Sequence, residues 1–95
     1  MLAADLHRAP DAERRLKLMM KEWGFRLPTA SAILAVLYPK EFTVYDFRVC
    51  NALGDFDRLG GRRWSQNLWD EYRRFTAAVR SKARRAAKRW PPPID

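Results

Sequence analysis

The feature that constrains this chain most is a very short connection between two predicted helices. From Asp11 onward, apolar residues recur at spacings of three and four, which places them on one stripe of a helix. The stripe consists of Leu16, Met19, Met20 and Trp23. Gly24 then stands where a helix end favours a positive φ, and Pro28 suits the first turn of the next helix. Since only residues 25–27 lie between them, the two helices are predicted to form a tight hairpin.

The second and third helices are predicted from composition and from their end signals. Residues 28–38 are apolar nearly all round and rich in small side chains, so we expect this helix to be buried, and Pro39 stops it. Thr43 is the predicted N-cap of a third helix that ends at residues 53–54. A strand over residues 43–45 is the alternative, which we disfavour because no second strand is available to pair with it.

A long fourth helix is predicted over residues 63–88, with a core-facing stripe that fades near its C-terminal end. The stripe consists of Trp64, Leu68, Tyr72, Phe75 and Val79. Residues 1–10 are predicted to be frayed, and residues 90–95 form a proline-rich tail. The sequence therefore predicts an all-α fold in a single domain over residues 1–95: a small bundle of about four helices with a central helix-hairpin-helix element and a long basic C-terminal helix.

The charge balance points to a polyanionic partner. The 95 residues carry a formal charge of +8, which produces a positive surface potential. Nucleic acid is the leading candidate, and an anionic membrane surface or an acidic protein is the alternative. The longest apolar run, residues 32–38, is too short to cross a bilayer. With one cysteine and one histidine, neither a structural metal site nor a cofactor is expected, and we expect a cytoplasmic protein, associated with the nucleoid if the source is bacterial.

The hairpin suggests how such a partner is held. Backbone N–H groups at the start of a helix point together, and the helix dipole there favours a phosphate. The predicted donors come from around Phe25, Leu27, Thr29 and Ala30, with the Thr29 hydroxyl and the Arg26 side chain beside them. Contacts of this kind position a duplex without reading its sequence. The structural alternative is an ordinary antiparallel helix pair.

Residues 23–54, which begin WGFRLPTA and contain VYDFRV, resemble the helix-hairpin-helix-GPD superfamily of base-excision-repair glycosylases over about a third of the chain. The resemblance makes Gly24 the hairpin glycine and residues 29–30 the start of the second helix. It makes Asp46, followed by residues 48–49, the equivalent of the catalytic aspartate. The alternative for Asp46 is a carboxylate that caps the third helix.

The chain also departs from this family. Arg26 stands at the second hairpin glycine, and Pro28 stands where bifunctional members place a nucleophilic lysine, which excludes Schiff-base chemistry from that position. The cysteine set of the iron–sulfur members is missing. Family enzymes also have a second helical lobe that closes the base-binding cleft, and the chain shows no segment that would form it.

The end of the fourth helix is densely cationic and is a second candidate for contact with DNA. Its basic residues are Arg80, Lys82, Arg84, Arg85, Lys88 and Arg89. The alternative is a solvated helix end. Of the aromatic residues nearby, Trp64, Tyr72 and Phe75 are interpreted as core, whereas Trp69 is left open between core packing and base stacking.

Three hypotheses follow from the sequence. The first is a non-enzymatic DNA-binding domain that holds phosphates without sequence preference. The second is a monofunctional DNA glycosylase that uses Asp46. The third is a protein-interaction module or homo-oligomer in which another chain covers the face of the missing lobe.

Overall fold

Five α-helices make up most of residues 2–88, which are the residues that the computed structural model describes, and this part of the chain contains no strand. The helices are α1 (Leu2–Arg8), α2 (Ala12–Lys17), α3 (Leu27–Leu37), α4 (Phe47–Leu53) and α5 (Gln66–Lys88). A π-helix over Leu18–Glu22 continues α2. The predicted all-α class is confirmed, while Arg89 and the proline-rich tail lie outside the described residues.

The N-terminal segment is helical, so the prediction that residues 1–10 are frayed is wrong. Helix α1 buries Leu6, which is 1% exposed, and the Leu6 carbonyl accepts a hydrogen bond from Nε of Arg15 at 3.2 Å. Asp5 and Arg8 form an ion pair at 3.1 Å within the helix. A single buried leucine is too weak a pattern to reveal a docked helix from sequence.

The first half of the hairpin starts and stops as predicted. Asp11 caps α2 by accepting a hydrogen bond from the N–H of Arg14 at 2.8 Å, and Gly24 has φ +75°. Trp23, however, is 45% exposed instead of lying on the buried stripe. Its N–H donates to the Leu18 carbonyl five residues back, as in a π-helix, and the extra residue in this turn rotates Trp23 away from the core.

Helix α3 begins one residue earlier than predicted and buries one stripe only. The buried residues are Leu27, Ala30, Ser31 and Leu34, at spacings of three and four. Val36 is 81% exposed and Leu37 is 52% exposed, so the expectation that this helix is buried all round is wrong at its C-terminal end. The neighbouring elements cover the stripe and leave these two side chains in solvent.

Helix α4 is shorter than predicted because Asp46, and not Thr43, caps it. The Asp46 carboxylate accepts a hydrogen bond from the N–H of Arg48 at 2.7 Å. Residues 42–46 before it belong to no helix or strand, and side chains satisfy backbone groups there. The Tyr72 hydroxyl accepts from the N–H of Thr43 and donates to its carbonyl, at 3.0 and 2.6 Å. Gly54, with φ +74°, ends α4 as predicted.

Helix α5 supplies the largest part of the aromatic core. It begins at Gln66, three residues later than the predicted start at residue 63. The hydroxyl of Ser65 caps it by accepting from the N–H of Leu68 at 3.0 Å. Tyr72 and Phe75 are buried, and the Phe75 ring lies 5.1 Å from that of Tyr45. The stripe fades after Val79, as predicted, and residues 82–88 are exposed.

Candidate nucleic-acid interface

A cleft of about 460 Å³ lies between the hairpin and the loop that precedes α5. Its lining combines cations with apolar side chains and includes no carboxylate. The lining residues are Met20, Lys21, Gly24, Phe25, Arg26, Arg63 and Trp64. Within residues 2–88, no carboxylate lies within ion-pair distance of the three cations. The cleft lining therefore presents three cations beside an aromatic surface.

Contacts between distant segments bring the two sides of this cleft together. The side chain of Gln66 donates to Glu13 at 3.4 Å, which joins the start of α5 to α2. Arg62 pairs with Glu71 at 2.8 Å, so its guanidinium is held against α5. Arg63, the next residue, is exposed and lines the cleft.

The predicted backbone donors of the hairpin are largely occupied or buried. The N–H of Phe25 donates to the Met19 carbonyl at 3.0 Å, and that of Ala30 donates to the Arg26 carbonyl at 2.9 Å. Leu27 is 0% exposed, so none of its atoms reaches a ligand. These three N–H groups are therefore not available to a phosphate in this conformation, and binding of DNA by the other hairpin residues stays a prediction. Thr29 remains exposed to solvent.

Arg26 and Gly24 lie where the hairpin prediction placed them. Arg26 is exposed at the N-cap of α3, and its side chain makes no capping hydrogen bond. Gly24 forms the left-handed turn that leads α2 into α3 and lines the cleft. Sequence reasoning missed Lys21, Arg63 and Trp64 as members of the site. Lys21 had a usable signal, since it lies one helical turn before the hairpin.

The basic end of α5 is a separate surface. Arg80 donates to the Lys40 carbonyl and Lys82 to the Ala52 carbonyl, each at 2.7 Å, so these two predicted DNA ligands are engaged by the turn after α3 and by the end of α4. Arg84, Arg85 and Lys88 are exposed. At about 1.5 Å per residue, α5 is roughly 34 Å long, and these three cations lie near the end opposite the cleft.

Asp46 serves as the N-cap of α4, the structural alternative considered for it. Its carboxylate is half-buried and is engaged by the Arg48 N–H. It does not line the cleft at the hairpin, so the structure does not bring the predicted catalytic and DNA-binding residues together there. A catalytic role for Asp46 stays a prediction.

The aromatic residues divide between the core and the cleft. Tyr72 and Phe75 are core, as interpreted, and Trp69, which was left open, is only 9% exposed and packs at 6.1 Å from the Tyr72 ring. Trp64, which was interpreted as core, is half-buried: it packs against the core and also lines the cleft. The Trp64 and Trp69 rings lie 6.5 Å apart.

Comparisons with known proteins assign no family. No family model matches the chain, and no characterised protein or solved structure is significantly similar to it. The resemblance to the glycosylase superfamily therefore stays a prediction. Among residues 2–88, no helix is both long and apolar enough to cross a membrane, and no three potential metal ligands lie together in that part of the chain.

Proposed function

We propose that this protein binds DNA by the phosphate backbone, through the hairpin cleft and the exposed cations at the end of α5, with little preference for sequence. The observation that carries the proposal is the cluster of Lys21, Arg26 and Arg63 around one cleft whose lining includes no carboxylate. Such a cluster raises the local concentration of a polyanion and favours phosphate contacts.

Side-chain charges are the main contacts in this proposal. Because the N–H groups of Phe25 and Ala30 already have acceptors, the hairpin contributes the guanidinium of Arg26 and the hydroxyl of Thr29. A guanidinium offers several donors in a planar fork that suits phosphate oxygens. Contacts of this kind fix the position of the duplex and carry no sequence information.

We expect one stretch of duplex to reach both basic surfaces. They lie near opposite ends of α5, a separation of roughly 30 Å, which is close to the ~34 Å of one turn of B-DNA. A duplex that reaches both surfaces meets six exposed cations. They are Lys21, Arg26, Arg63, Arg84, Arg85 and Lys88.

Fluorescence anisotropy with a labelled duplex of about twenty base pairs, titrated at rising salt, tests the proposal. Six phosphate contacts predict a slope of log K against log salt of roughly −5. The double variant R26Q/R63Q is expected to reduce the magnitude of that slope by about 2. The matched control R14Q/R58Q removes the same charge from two exposed arginines outside the cleft and is expected to change the slope little.

Two results would contradict this proposal. Binding that is insensitive to salt would show that phosphate contacts do not drive it. Equal effects of R26Q/R63Q and R14Q/R58Q would show that net charge, and not the cleft, attracts the duplex. Circular dichroism of each variant checks that the helices remain folded.

Exposed apolar side chains favour a second candidate function, self-association or binding of another protein. Val36, Leu37 and Phe47 are 81%, 52% and 69% exposed, and exposed apolar surface that is contiguous marks sites of protein interaction. A contact between copies would bury them. Light scattering over a range of protein concentrations tests this, and a constant monomeric mass would remove self-association.

A further inference from the structure

The hairpin cleft combines three features that one kind of ligand would use together. It has cations on both sides, an aromatic wall and a volume of about 460 Å³, within the ~300–1,000 Å³ typical of small-molecule sites. We propose that it holds one nucleotide with an unpaired base, the base stacked on Trp64 and the phosphate held by Lys21, Arg26 and Arg63. This inference rests on the proposed function and deepens it.

The aromatic wall is the part of the cleft that phosphate binding alone leaves unused. Trp64 and Phe25 are half-buried, and both line the cleft beside Met20. Trp64 contacts the ring of Trp69, which is buried in the core, so its indole is held in place before a ligand arrives. A pre-positioned ring loses little conformational entropy on stacking.

A paired base cannot use this wall. Inside a duplex, each base is covered on both faces by its neighbours, and only its edges are accessible from the grooves. A base that stacks on Trp64 must therefore come from a single strand, a strand end, a bulge or a free nucleotide. Every base has a π-face, so stacking of this kind tolerates any sequence.

The cations fit the same ligand. Lys21 and Arg26 come from the hairpin, whereas Arg63 is the immediate neighbour of Trp64. A phosphate joined to a stacked base therefore has positive charge on both sides of the cleft. Single-strand sites in proteins use the same pairing of a cationic groove with aromatic stacking platforms.

The test measures the affinity of the full chain for two labelled strands by fluorescence anisotropy. Each strand has about twelve nucleotides, a typical single-strand site size. One is oligothymidine, and the other is a base-free strand with the same sugar–phosphate backbone. We expect oligothymidine to bind more tightly. Trp64→Leu is expected to weaken oligothymidine binding roughly ten-fold and to leave the base-free strand unchanged, because it keeps apolar bulk but removes the π-face.

Two controls make the comparison specific. Trp64→Phe keeps an aromatic face and is expected to retain most of the preference for oligothymidine. Trp23→Leu removes a tryptophan that is 45% exposed next to the hairpin but does not line the cleft, and it should change neither affinity. Competition with thymidine monophosphate shows whether the site takes a free nucleotide or only a strand. If thymidine monophosphate displaces oligothymidine, the site also binds free nucleotides. If it does not, the site binds a strand only.

The possible failures can be told apart. Equal binding of oligothymidine and the base-free strand, or equal losses for both in Trp64→Leu, would overturn the nucleotide site while leaving phosphate binding intact. Failure of every strand and duplex to bind at low salt would overturn the proposed function itself. If Trp64→Leu does not fold, Trp64→Phe still decides the test. Loss of the preference for oligothymidine in Trp64→Phe would contradict stacking by itself.

Discussion

Replacing Tyr72 with phenylalanine tests how the core fixes the segment before α4. The Tyr72 hydroxyl accepts a hydrogen bond from the N–H of Thr43 and donates one to the carbonyl of the same residue. Phenylalanine keeps the buried ring but leaves both backbone groups without this partner. Because Thr43 is half-buried, water can replace part of the loss, and the expected cost is about 1–2 kcal/mol. For a domain of this size that lowers the melting temperature by roughly 5–15 °C.

Urea unfolding followed by circular dichroism measures this cost directly. The midpoint should fall while the slope stays constant, since the surface exposed on unfolding is unchanged. Tyr38→Phe is the matched control: the ring of Tyr38 stacks under the Arg15 guanidinium at 4.2 Å, and no protein group among residues 2–88 pairs with its hydroxyl. We expect a change below about 0.5 kcal/mol there. If Tyr72→Phe is as stable as wild type, the tyrosine hydroxyl does not hold this segment.

Three further predictions concern the same region. Ser31→Ala removes the acceptor of the buried Tyr45 N–H, at 2.7 Å, and should lower the free energy of unfolding by about 1–3 kcal/mol in urea melts. Asp46→Ala should cost about 1 kcal/mol through loss of the cap of α4, whereas Asp46→Asn, which retains a capping oxygen, should cost less in the same melts. Burial, followed by the neighbouring Cys50, raises the pKa of Tyr45 from 10.0 to about 12. The folded state therefore holds this proton more tightly than the unfolded state. The free energy of unfolding should be constant below pH 10 and fall from about pH 10 to pH 12, by up to roughly 1.4 kcal/mol per pH unit. Tyr45→Phe should lack this contribution when urea melts are compared at a series of pH values.

Local patterns predicted the helices whose signals lie within a few residues. Asp11 and Gly24 mark the ends of the first hairpin helix because capping and positive φ are properties of single residues and their neighbours. The choice between Thr43 and Asp46 as the cap of α4 could not be made in the same way, since both residue types are good caps. Tyr72, far along the chain, decides it by pairing both backbone groups of Thr43 outside the helix.

The cleft shows a similar division between local and distant information. Gly24 and Arg26 were predicted from the hairpin alone, but the opposite wall comes from Arg63 and Trp64, which reach the hairpin only because the bundle closes. The hydrogen bond from Gln66 to Glu13 joins the start of α5 to α2, and no periodicity within either segment encodes it. Sequence reasoning therefore found one side of the site.

The hairpin also shows why a correct shape can come with different chemistry. A start at Pro28 would have left the preceding residue in the connection, where its N–H could face a ligand. In the structure α3 begins at Leu27, and this side chain fills the core with 0% exposure. Burial of Leu27 removes its N–H from solvent, and the N–H groups of Phe25 and Ala30 already have carbonyl acceptors. We therefore expect a phosphate at this hairpin to be held mainly by the side chains around it, and neutralising Arg26 and Arg63 separates this mode of binding from one that depends on backbone donors.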